Sequence, residues 1–108
     1  MSRKNILYIL FLLLFIPISL CAQDITSGVK LIRNEKYNDA KKYFKGFLSS
    51  TSASEAYFYL GEIYMIEENV DSARICYTKG MESNKDFALN YAGMVRVNVL
   101  NGNDSEIA

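Results

Sequence analysis

The 108-residue sequence contains no histidine, which removes the commonest general base near neutral pH and the commonest metal ligand. No Ser–His pair can form, no glycine-rich phosphate loop is present, and the familiar catalytic spacings are absent. Carboxylate pairs do occur, such as Glu67 with Glu68, but a solvated turn accounts for them better than acid–base work. The basic run Lys41, Lys42, Lys45 reads as a solvated helix face, with Glu55, Glu62 and Glu82 further on as its potential ion-pair partners. Eight tyrosines and six phenylalanines could stack on bases or sugars, yet most fall at positions where a helical core needs filling. The residues therefore predict no enzyme, no cofactor, no metal site and no nucleic-acid surface.

The first 22 residues differ from the rest. Arg3 and Lys4 precede an unbroken apolar run, Ile6–Ile16, and Pro17–Ala22 closes with small residues. That is the layout of a secretory signal peptide, and the run is shorter than the roughly 20 residues a membrane span needs. Cleavage after Ala22 would leave Leu20 and Ala22 at the recognised positions. Two alternatives are an uncleaved membrane anchor and a lipoprotein acylated at Cys21, although Leu20 is larger than the residue a lipobox places before its cysteine. Export to the periplasm is the expectation. Removing residues 1–22 takes away Arg3 and Lys4 and no acid, leaving 10 basic against 12 acidic side chains and a net charge of −2. Such a balance gives no pull toward nucleic acid or anionic lipid. Cys76 would be the one remaining cysteine, unable to form an internal disulfide and expected to be buried.

Residues 23–108 carry helical spacing throughout. Tyr57, Leu60, Gly61 and Tyr64 recur at i, i+3, i+4 and i+7, and Ser52 with Glu55 reads as a capping box. No stretch alternates with period two, so the predicted fold is all-α. Shifting Gly28–Phe44 by 33 residues lays Gly28 on Gly61, Leu31 on Tyr64, Tyr37 on Val70, Asn38 on Asp71, Ala40 on Ala73 and Phe44 on Tyr77. The small and large apolar positions match while the charges drift, which is the mark of a structural repeat. Asn38 and Asp71 are the predicted N-caps of helices over Asp39–Leu48 and Ser72–Met81, with polar turns at Asn34–Lys36 and Glu67–Asn69. A shift of 34 lays Tyr91 on Tyr57 and Met94 on Leu60, so Tyr91, Met94, Val95 and Leu100 predict a third first-helix, followed by a turn over Asn101–Asp104 and the opening of a second helix at Ser105–Ala108.

The second unit, Tyr57-x2-Leu60-Gly61-x2-Tyr64 followed by Ala73 and Tyr77, resembles the tetratricopeptide repeat, with tyrosine in place of the first aromatic. The first unit keeps Gly28, Ala40 and Phe44 but has Asp24 and Ser27 at the first aromatic and leucine positions. No proline follows either unit, Pro17 being the single one. The resemblance implies an α-solenoid of antiparallel helix-turn-helix units, about two and a half of them, spanning residues 21–53, 54–87 and 88–108. Gly28, Ala40, Phe44, Tyr57, Leu60, Gly61, Tyr64, Ala73 and Tyr77 would be its packing positions. So short an array lies near the lower limit of about three units, which favours a partner, a longer parent chain or self-association.

In that family the first helices line a concave groove that holds another protein. Carried over by register, the groove positions are Val29, Ile32, Arg33, Phe58, Glu62, Met65, Ile66 and Arg96: an apolar floor with charges at its margin. The Lys/Asn/Arg set that clamps a C-terminal carboxylate in chaperone-tail binders is missing. The groove suits an amphipathic helix or apolar peptide, and a covering helix of the chain itself would occupy the same strip. The resemblance thus implies an exported protein-binding scaffold. Alternatives are the sensory segment of a larger envelope signalling protein, and a lipoprotein of outer-membrane assembly.

Overall fold

The computed structural model describes residues 3–9 and 24–102. Cys21, the cleavage position after Ala22 and the stretch Ser105–Ala108 lie outside those residues. Every regular element among the described residues is a helix: α1 (residues 3–9), α2 (Asp24–Arg33), α3 (Tyr37–Lys45), α4 (Ala53–Ile66), α5 (Val70–Ser83) and α6 (Leu89–Leu100). The fold is all-α, as the apolar spacing predicts. From α2 to α6 each helix packs on the next, and α4 also touches both α2 and α6. Three-residue connections join α2 to α3 and α4 to α5, so each of these packed pairs must run antiparallel.

The two connections share one structure. After α2 the amide of Glu35 donates to the carbonyl of Ile32 (2.9 Å) and that of Lys36 to Leu31 (2.9 Å). After α4, Glu68 donates to Met65 (3.1 Å) and Asn69 to Tyr64 (2.8 Å). This is the Schellman pattern, in which one residue at positive φ folds two amides back onto the last carbonyls. Glu35 and Glu68 hold that conformation, each at φ 60°, at a steric cost of about 1–2 kcal/mol for an L side chain. α6 ends alike: Asn101 donates to Val97, and Gly102, at φ 71°, donates to Val99. The turn residue thus recurs at 35, 68 and 102.

This turn corrects the predicted helix starts. α3 and α5 begin at Tyr37 and Val70, so Asn38 and Asp71 lie inside the helices, and the last turn residue serves as N-cap. Asn69 does so through its side chain, which accepts from the amide of Ser72 (3.2 Å), whereas Lys36 caps with no side-chain bond. α3 also stops short of Leu48, at Lys45. The predicted Ser52–Glu55 box does not form. Ser52 sits at φ −94°, ψ 16°, away from the extended conformation an N-cap side chain uses. Ser50 takes its place, its hydroxyl accepting from the amide of Ser52 (3.1 Å) and donating to the carbonyl of Phe47 (2.7 Å).

Side-chain packing recurs with the turns. Phe44 is fully buried against Gly28, where an added Cβ would lie 2.3 Å from the ring. Its ring also stacks on Tyr59 at 5.1 Å. Tyr77 is equally buried, with Gly61 on one side and Gly93 on the other, where a Cβ would stand 2.5 and 2.4 Å from its ring. Ala40, Ala73 and Leu60 are buried as expected, beside Ala56, Ile63, Cys76 and Val97, while Tyr57 and Tyr64 are half-buried at the rim. Tyr64 lies under the ammonium of Lys41 (5.3 Å).

A polar staple ties α4, α5 and α6 together. Fully buried Asn90 donates from Nδ2 to the carbonyl (3.1 Å) and hydroxyl (3.0 Å) of Ser54, and that hydroxyl donates to the carbonyl of Gly80 (2.8 Å). No donor among the described residues reaches Asn90 Oδ1.

α6 sits at the predicted place but turns a different face inward. Asn90, Gly93, Val97 and Asn98 are buried, whereas Tyr91, Val95 and Leu100 are exposed. The reason lies in the 34-residue step from α4. The inward face of α6 matches Ala56, Tyr59 and Ile63, which pack toward the preceding elements. Tyr91 and Val95 match Tyr57 and Gly61, the side of α4 that α5 covers, and among the described residues nothing stands in α5's place on α6.

Candidate functional site

The predicted groove positions fall on α2, α4 and α6, and the structure sorts them into three groups. Val29 and Arg33 line a hollow of about 360 Å³ between α2 and α4, together with Ile25, Thr26, Lys30, Asn34 and Tyr59. Met65 and Arg96 line a second hollow of about 270 Å³ between α4 and α6, with Val95, Val99 and Leu100. The other positions are not part of either. Ile32 packs on the core, and Ile66 is exposed at the end of α4. Phe58 is half-buried among rings, with Tyr59, Phe87 and Tyr77 at 5.2, 6.1 and 6.2 Å between centroids.

Glu62 is engaged through Oε1. It accepts from the Tyr77 hydroxyl (2.7 Å) and pairs with the Arg96 guanidinium, which also donates to Tyr77 Oη (3.2 Å). Burial pushes the Tyr77 hydroxyl well above its ordinary range, and the bond to Glu62 adds to the effect. Its own bond to Glu62 raises Arg96 above an ordinary guanidinium. Burial, then the charges of Glu55 and Glu62, raises Tyr59. Arg96 is therefore committed to the fold, with only part of its head group left to a ligand.

The predicted pairing of the α3 lysines with Glu55, Glu62 or Glu82 is not what forms. Lys41 pairs with Glu67 (2.9 Å), because the Schellman turn brings the start of the α4–α5 connection beside α3. Lys30 and Arg33, by contrast, have no carboxylate partner among the described residues. The α2–α4 hollow thus combines an apolar floor, Val29 and Tyr59, with two cations that have no carboxylate partner among the described residues. That arrangement suits an apolar segment carrying a carboxylate.

Cys76 is buried and unpaired, and burial raises its thiol, against the pull of Lys79 and Lys45. Among the described residues no three His, Cys, Asp or Glu side chains gather as a metal site would require, and no helix is long and apolar enough to cross a membrane.

Sequence reasoning missed Tyr59, Gly93 and Asn90. Tyr59 and Gly93 are one register position, each facing the ring of the preceding helix, and the repeat pattern carries no consensus residue there. A buried asparagine in an apolar helix gives no periodic signal at all. Comparison with family models, curated proteins and solved structures returns no significant match for this chain.

Proposed function

We propose that the chain is an exported module of the tetratricopeptide kind, about two and a half units long, which holds a partner protein along α2, α4 and α6. The observation that carries this reading is the joint recurrence of turn and wedge. A Schellman turn forms at 35 and 68 and its positive-φ residue returns at 102, and a buried ring, Phe44 or Tyr77, is held between a glycine of its own hairpin and a residue of the next helix. Units joined this way set their first helices side by side, where a peptide or helix can lie across them. Export rests on the layout of Met1–Ala22, and the periplasm is the compartment it implies.

The α2–α4 hollow narrows the ligand class. Its apolar floor with Lys30 and Arg33 alongside favours a segment with a large apolar side chain and a nearby acid. Capture from cell-envelope extract with the full chain as bait tests the proposal, beside a Lys30→Glu, Arg33→Glu variant. Both residues are exposed, so the variant should keep its helical circular dichroism. A specific protein held by the wild type and reduced about tenfold or more in the variant is the expected outcome, since reversing two charges beside an acid costs at least about 1.4 kcal/mol. Equal capture by both would sink the assignment of this hollow.

A further inference from the structure

The turns that follow α2, α4 and α6 differ in one chemical respect. The positive-φ residue and the residue before it are Asn34–Glu35 in the first, Glu67–Glu68 in the second and Asn101–Gly102 in the third. Asn101 is the one asparagine of the sequence that is followed by glycine. A backbone amide can attack the side-chain amide of a preceding asparagine, and a side chain on the attacking residue is the main obstacle. Glycine carries none. Asn101 and Gly102 are both exposed, and no heavy atom among the described residues lies within 4 Å of where a Cβ on Gly102 would stand. Other asparagine side chains are tied down: Asn69 to Ser72, Asn84 to Asp86, Asn90 to Ser54 and Asn98 to Arg74.

We infer that Asn101 is a site of spontaneous covalent modification, converting to aspartate and isoaspartate at a rate governed by opening of the last turn of α6. The Gly102 nitrogen gives its proton to solvent base and bonds to Asn101 Cγ. The Cγ–Nδ2 bond breaks, and ammonia leaves with a proton taken from water. The cyclic imide so formed then takes up a water molecule. Addition at Cγ yields aspartate, whereas addition at the main-chain carbonyl of Asn101 yields isoaspartate, with the chain rerouted through Cβ. The sum is asparagine plus water giving an acid plus ammonia, and it calls on no oxidant or reductant.

The folded turn sets the rate. Asn101 has φ −86° and ψ 1°, and the Gly102 amide donates to Val99 (3.1 Å). With ψ near zero the Gly102 nitrogen is turned away from the Asn101 side chain. Ring closure therefore requires rotation about the Asn101 Cα–C bond and loss of the bond to Val99. Helix ends open at a small fraction of the cost of global unfolding, so the fold slows the reaction without preventing it. The product then opposes reclosure. It adds a negative charge at the negative end of the α6 dipole, and the isoaspartate form lengthens the backbone by one carbon.

Ageing the purified full chain in mildly alkaline buffer, followed by peptide mapping with isoaspartate detection, tests this. Asn34 is the internal reference, since it holds the same place in the first turn but precedes Glu35. Conversion at Asn101 should exceed that at Asn34 at least about tenfold, a barrier difference of about 1.4 kcal/mol. Gly102→Glu, which installs the residue that the other two turns use, should bring Asn101 down to the Asn34 level with helical circular dichroism unchanged. In urea, where the turn is open, wild-type conversion at Asn101 should be at least about threefold faster. Equal rates at Asn101 and Asn34, or no slowing by Gly102→Glu, would overturn the site. An unchanged rate in urea would overturn the control exerted by the turn.

Discussion

Tyr77 fills the space between Gly61 and Gly93, and its hydroxyl reaches Glu62 and Arg96. One side chain therefore touches two neighbouring helices through its ring and bridges their charges through its tip. A methyl group added at either glycine would meet the ring at about 2.5 Å or less, and the ring, fully buried, has little room to yield. Gly61→Ala should accordingly destabilise the chain by about 1–3 kcal/mol by overpacking, despite alanine's better helix propensity. Urea unfolding followed by circular dichroism checks this. The loss should shrink when Tyr77→Leu is present, since the two substitutions share one contact. A similar loss on both backgrounds would mean that the glycine matters for some reason other than the ring. Gly28, Gly61, Phe44 and Tyr77 were legible in the sequence because they recur at a fixed step. Gly93 was not, since its counterpart one unit earlier is Tyr59 and the two share neither size nor chemistry.

Within each hairpin, α2–α3 and α4–α5, the helices are joined with no residue to spare. Lys36 and Asn69 each end one helix's Schellman turn and cap the next helix. Glu35 and Glu68, at φ 60°, occupy the position where glycine is the usual choice, and Gly102 shows that choice made in the same turn. Glu68→Gly is expected to stabilise the chain by about 0.5–1 kcal/mol, relief of left-handed strain exceeding the extra entropy glycine carries in the unfolded chain. A rise in the urea midpoint with unchanged slope is the reading to look for, and no rise would show that Glu68 is held by something other than the turn. The helices themselves were readable from apolar spacing. Their starts were not, because Asn38 and Asp71 resemble caps in sequence and only the folded turn reveals that the helix begins before them. The face of α6 was misjudged for a related reason: its apolar content is spread around the helix, so spacing alone could not say which side α4 and α5 would claim.

Among the described residues, three groups that ionise to anions are raised, Tyr59, Cys76 and Tyr77, and they lie on α4 and α5. Each is neutral in the folded state at a pH where the unfolded chain has begun to ionise. Their stabilising contribution is complete below the ordinary values, 9.0 for the thiol and 10.0 for the phenols, and is lost as pH rises above them. Chemical stability should be flat from neutral to about pH 8.5 and fall beyond pH 9. Tyr77→Phe should make the fall above pH 10 shallower, as read from urea midpoints across pH. The hollows of the candidate site were only partly visible in sequence. Val29, Arg33, Met65 and Arg96 do line them, but Phe58 and Ile32 are drawn inward, because an aromatic-rich helix can bury rings on more than one side. A geometric effect follows from the two buried rings. Phe44 is backed by another ring, Tyr59, whereas Tyr77 is backed by a bare backbone, Gly93. Each works as a shim between successive hairpins, thick at the first junction and thin at the second. Shims of unequal thickness should set α2 farther from α4 than α4 from α6 and grade the curvature along the array. Substituting Gly93, which lines neither hollow, would be a way to change the α4–α6 spacing without touching anything that lines the surface.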